Sequence, residues 1–183
     1  MKINFIFSIP FERALLDPSL SGQENLLTKE IVDNKIRILD FFWETSGRDI
    51  VQTIEQITGY TFQKKEIDCY INSKISVSDP FCLKVREDYK MKNSVIHELI
   101  HIIFKQNKAG ETEKAKKYRS DFEKENVITI NHIILDAIHF LLTEKLFPDQ
   151  LDMIQQKKNP YYARSWEIVR NMGAQKIVDL YLR

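Results

Sequence analysis

The chain has 183 residues, 43% hydrophobic and 29% charged, the balance of an ordinary globular protein of a size that favours one domain, here 1–183, with a full core. Its 27 Lys and Arg face 26 Asp and Glu, for a net charge of +1, so nucleic acid and other polyanions are not favoured as partners. Only two cysteines occur, Cys69 and Cys82; both stand in strand-like runs and read as reduced core thiols, not as a disulfide framework.

The first residues, MKINFIFSIPFER, hold a short apolar run without a small-residue cleavage pattern and meet Glu12 and Arg13 at once, so they read as a strand and not as a signal peptide. Ser21, Gly22, Gln23 and Glu24 have the pattern of a capping box. They would open a long helix through Leu26, Leu27, Ile31, Ile38, Leu39, Phe42 and Trp43 that closes near Gly47. A second helix is expected over about 49–58, ended by Gly59. Strands follow over 67–71 and 81–85, separated by the turn-like Ser78, Asp79 and Pro80. No uninterrupted apolar segment approaches the ~20 residues that cross a bilayer. The expectation is a soluble, cytoplasmic protein with no membrane partner.

The next element carries the chemistry. His97, Glu98, Leu99, Ile100 and His101 lie in a run otherwise made of Val95, Ile96, Ile102, Ile103 and Phe104. Helical residues four apart sit one above the other, so two imidazoles at this spacing can grip one metal ion while the carboxylate between them faces its open side. A helix apolar nearly all round is buried, and a buried His-Glu-His set must be paired or bound to something. The plainer alternative is a core helix whose polar groups the protein satisfies. The charged stretch over 105–125 reads as a solvated helix or loop with pairs at helical spacing, and no chemistry is assigned to it.

A second long apolar helix is expected over 126–147. Its polar residues Glu125, Thr129, His132, Asp136, His139 and Thr143 follow spacings of four, three, four, three and four, the repeat of one helix face. So narrow a stripe on an apolar helix is expected to turn inward toward a site, the alternative being an amphipathic helix with a thin wet face. A catalytic zinc held by His97 and His101 needs a third protein ligand and an open fourth position. The stripe offers His132, Asp136 and His139. Residues 166–182 read as closing helices divided at Gly173.

These two helices resemble those of the zincin metallopeptidases, and within them the thermolysin-like gluzincins, whose second helix carries Asn-Glu-x-x-x-Asp. The matching string here is Asn131, His132, Ile133, Ile134, Leu135 and Asp136. By that resemblance His132 is the third ligand, and Asp136 accepts a hydrogen bond from a ligand histidine and orients it. His stands where the family has Glu, and imidazole is as good a zinc ligand as carboxylate. The metzincin pattern would place Gly at 104 and His at 107, where this chain has Phe104 and Asn107. An aspzincin-like arrangement would make Asp136 itself the ligand, and His139, two turns past His132, is a further alternative.

The resemblance covers about residues 60–147. It implies an α+β, zincin-like fold in a minimal single-domain form: a small twisted sheet packed on N-terminal helices, then the active-site helix, then the second ligand helix. Residues 81–85 are the candidate edge strand beside the cleft, able to pair with an extended substrate, the alternative being a covered, purely structural member of the sheet. The implied activity is that of a Zn2+-dependent metallopeptidase acting on a peptide or protein substrate. Glu98 takes the proton of a zinc-bound water, the hydroxide attacks the carbonyl, and Glu98 passes the proton to the leaving amine. His139, Tyr161, Tyr162 and Arg164 are the candidates for stabilising the oxyanion. Two other functions stay open: a regulatory protease specific for one protein partner, and a non-catalytic zincin-fold binding module whose structural metal His139 would close. Glu98 favours catalysis, since a closed structural site has no use for an uncoordinated carboxylate.

Overall fold

A computed structural model of the chain describes residues 1–9, 12, 27–155 and 158–182; the capping box expected at 21–24 lies outside them, as do Arg13 and Leu26. The fold is α+β. Its residues form two compact units, Met1–Arg48 with Lys64–Glu98, and Asp49–Gln63 with Leu99–Arg183.

The first unit contains a four-stranded mixed sheet. Its strands are β1 (Lys2–Phe7), β2 (Glu66–Asn72), β3 (Val77–Ser78) and β4 (Phe81–Lys84), in the order β1-β2-β4-β3. β1 and β2 are parallel, as are β2 and β4, while β3 runs antiparallel to β4. Period-two alternation turns Ile3 and Phe5 of β1 inward and leaves Lys2 exposed. Outside, the Asn4 amide donates to Glu66 (3.0 Å) and Asp68 (2.8 Å).

The expected edge at 81–85 needs correction. β4 is an inner strand, because the Asp79-Pro80 turn folds Val77 and Ser78 back onto Cys82 and Phe81, so the two-residue β3 forms that edge. Ser76 Oγ then accepts from the Lys84 amide at 2.9 Å. Cys69 and Cys82 are buried and unbridged, as expected.

Helix α1 (Lys29–Thr58) is one element where two were expected. Gly47 does not end it. A Cβ at that position would lie 2.6 Å from the indole of Trp43, one turn earlier, so this glycine admits a buried ring instead of capping a helix. Gly59 does close α1, at φ +74°, its amide donating to the Glu55 carbonyl at 2.8 Å. Helix α2 (Asp88–Gln106) follows β4. Lys35 Nζ reaches its first-turn Asp88 at 2.6 Å, and Val95, Ile96, Leu99, Ile100 and Ile103 are fully or almost fully buried. By their bounds α1 and α2 each contribute residues to both units.

In the second unit the charged stretch forms a 3-10 turn (Ala109–Glu111) and helix α3 (Glu113–Asp121). Thr112 caps α3 by accepting from the Ala115 amide at 3.1 Å. Lys116 pairs with Glu113, and Lys117 with Asp121, the pairing expected of a solvated helix. Helices α4 (Val127–Leu146), α5 (Leu151–Gln155), α6 (Pro160–Met172) and α7 (Ala174–Tyr181) complete the unit. Asn126 caps α4 and Asn159 caps α6, each side chain accepting an amide two residues on at 2.9 Å. Gly173, at φ +86°, divides α6 from α7.

Both of these helices pack on α4. The buried Tyr118 of α3 donates its hydroxyl to the Ile130 carbonyl of α4 and sets its ring 5.2 Å from those of Phe122 and Tyr181. The expectation that no segment is long and apolar enough to cross a bilayer also needs correction. Among the described residues α4 alone passes that test by length and composition, its polar residues being too few to pull it below; with 61% of its apolar window buried inside the protein, it is a core helix.

Candidate metal centre

Helix α2 carries His97 and His101 one turn apart, and α4 carries His132. One nitrogen from each of the three lies within 4.8 Å of the others. The rings of His101 and His132 are 5.6 Å apart and tilted by 77°, so they converge without stacking. Nδ1 of His132 lies 2.7 Å from the Ile128 carbonyl. A carbonyl only accepts, so Nδ1 carries a proton, and in the neutral ring Nε2 keeps the lone pair that a metal needs. Burial, with His132 adding, lowers the pKa of His101 to about 4; the ring is neutral, the form that ligates.

Glu98 follows His97 directly and is 6% exposed. Desolvation raises its pKa to about 7, with Arg86 pulling the other way. Nη2 of Arg86 donates to Ser76 Oγ (3.0 Å) and to Ser94 Oγ (2.8 Å), one turn before Glu98 on α2. Burial also pushes the Cys69 and Cys82 thiols up, with Glu98 reinforcing the effect, and among the described residues neither joins the three-histidine group.

The polar stripe of α4 does turn inward: Thr129, His132, Asp136, His139 and Thr143 are all buried. Its use is broader than the sequence implies, because α6 meets it residue by residue. Arg164 grips Glu125 at 2.7 Å. The hydroxyl of Thr129 donates to the Tyr161 carbonyl at 3.0 Å. The Tyr162 ring stands edge-on to His132, centroids 4.4 Å apart. Ser165 Oγ donates to the Asp136 carboxylate, and the Trp166 ring lies 6.4 Å from that of His139. The stripe is thus a helix-packing seam, and of the three residues it offered as third ligand only His132 joins the group with His97 and His101; among the described residues, Asp136 and His139 do not.

The oxyanion candidates separate in the same way. Tyr162 is half-buried beside His132. Tyr161 is 42% exposed and contributes its carbonyl to the seam, while Arg164 is taken up by Glu125 and Glu167. Sequence reasoning missed Ser165, Arg86 and the Ile128 carbonyl. For Arg86 and Ser165 no spacing signal exists; the carbonyl four residues before His132 follows from helix geometry once that helix is assigned. The chain matches no protein-family model, no curated protein and no solved structure.

Proposed function

We propose that this protein is a zinc-dependent metallopeptidase of zincin type, in which His97, His101 and His132 hold the ion and Glu98 is the general acid and base. The observation that carries this reading is the convergence of three imidazole nitrogens within 4.8 Å, two of them flanking a buried carboxylate on one helix. The donor set fits zinc: three imidazole nitrogens are the protein ligands of a catalytic tetrahedral site with its fourth position open. A closed structural site needs a fourth protein ligand, and among the described residues the group has three members. The non-catalytic binding module is therefore the weaker reading.

A zinc ion, when bound, acidifies water and polarises a carbonyl. Glu98 accepts the proton of the attacking water and delivers it to the leaving amine. Ile128 holds His132 in the ligating tautomer. Tyr162, the one oxyanion candidate whose ring lies against a ligand, donates its hydroxyl to the developing oxyanion. Peptide or protein is the substrate class, acted on in the cytoplasm, and cleavage restricted to one protein partner uses the same residues. The order of a small mixed sheet, the His-Glu-x-x-His helix and the second ligand helix supports the zincin-like reading.

Elemental analysis tests this, together with cleavage of a quenched fluorescent peptide library. Wild type, Glu98→Gln and His139→Ala should each retain one zinc per chain, His132→Ala should lose it, and Glu98→Gln should cut no peptide. Absence of zinc from reconstituted wild type would overturn the proposal.

A further inference from the structure

We infer that Ser165 is a positioning residue for the third metal ligand, acting with Tyr162 as a two-point clamp on the turn of α4 that runs from His132 to Asp136. This rests on the reading of the three histidines as a metal centre.

His132 and Asp136 are one turn apart on α4, and Tyr162 and Ser165 are one turn apart on α6. The two turns meet in register, ring against ring and hydroxyl against carboxylate. Asp136 is 1% exposed and Ser165 is not exposed at all. A buried carboxylate needs donors, and the backbone amides of a helix interior are committed to the carbonyls four residues back, so side chains must supply them. Ser165 supplies one. Its hydroxyl also lies 3.1 Å from the Tyr162 carbonyl, so its single proton stands between the turn of Tyr162 and the carboxyl group of Asp136.

The Ser165–Asp136 bond, with the Thr129–Tyr161 and Arg164–Glu125 contacts of the same seam, sets the height of α6 along α4, and the height decides where the Tyr162 ring falls. The His132 imidazole is held at Nδ1 by the Ile128 carbonyl, 2.7 Å away, and along its side by Tyr162. Those two contacts limit rotation about its side-chain bonds, so Nε2 keeps its aim. Loss of the Ser165 hydroxyl removes the seam contact one turn from the ligand, loosens the lateral support at Tyr162 and lets the ligand wander. Deleting an outer partner of this kind lowers metal affinity about 10–100-fold.

Zn2+ affinity by competition with a chromophoric chelator, together with the visible spectrum of the Co2+ form, tests the clamp in the full chain. Ser165→Ala should bind Zn2+ about 10–100-fold more weakly and show altered Co2+ ligand-field bands, with its helical circular dichroism retained. Tyr162→Leu should weaken binding in the same direction, whereas Tyr162→Phe, which keeps the ring, should bind as wild type does. Should Ser165→Ala fail to fold, the contrast between Tyr162→Leu and Tyr162→Phe decides. Wild-type affinity and spectrum in Ser165→Ala, or wild-type affinity in Tyr162→Leu, would overturn the clamp while leaving the metal centre standing. Wild type that binds neither ion overturns the metal centre and the clamp with it.

Discussion

Tyr162 offers two separable properties, a ring that touches His132 and a hydroxyl that the proposed chemistry uses. Tyr162→Phe separates them. Removing a single oxyanion donor lowers kcat about 100–1,000-fold, and that loss is expected here with KM and zinc content unchanged, as steady-state kinetics on the zinc-loaded variant would read. A parallel rise in KM would instead mark Tyr162 as a substrate-binding residue. The same separation applies at Asp136, whose carboxylate takes the Ser165 hydroxyl and whose position one turn past His132 had suggested a histidine-orienting role.

At the scale of the element, Gly47 and Tyr118 show how one helix constrains another. Alanine favours a helix interior over glycine by about 1 kcal/mol, yet a Cβ at 47 meets the Trp43 ring at 2.6 Å. Overpacking of that kind costs about 1–3 kcal/mol, so Gly47→Ala should lower Tm in thermal unfolding, against its propensity. The ring cluster of Tyr118, Phe122 and Tyr181 carries a pH dependence. Burial pushes the Tyr118 hydroxyl well up, and burial with Asp121 raises Tyr181 to about 12. Both pKa values lie above the unfolded value of about 10, so the folded state keeps its protons longer. The contribution is fully present below about pH 10 and is lost as pH rises toward 12. Tm measured across that window should fall in wild type. It should fall less steeply in Tyr118→Phe, whose starting Tm is lower because the Ile130 carbonyl loses a donor worth about 1 kcal/mol.

On the scale of the whole chain, the three histidines stand on helices far apart in sequence, so unfolding scatters them and a metal bound to all three favours the folded state. At a free zinc concentration 100 times Kd the expected gain is about 2.7 kcal/mol. It should appear as a rise in Tm on zinc addition, vanish with a chelator, be absent in His132→Ala and persist in Glu98→Gln. A rise of equal size in His132→Ala would place the ion elsewhere.

Period and spacing by themselves carried much of what is local to one element. The run from Val95 to Phe104 reads as a buried helix with His97 and His101 on one face, the stripe of α4 as turned inward, and Gly59 and Gly173 as interrupting helices, because each reading rests on the geometry of a single segment. The tertiary structure alone decided what depends on how elements approach. Spacing gives an angle around one helix axis, but not the height at which a second helix crosses it, so it could not choose among His132, Asp136 and His139 or bring Ser165 to Asp136. Gly47 reads as a stop signal until the Trp43 ring is seen above it. The strand at 81–85 reads as an edge until the chain before it folds back as β3, since exposure belongs to the assembled sheet and not to any one strand.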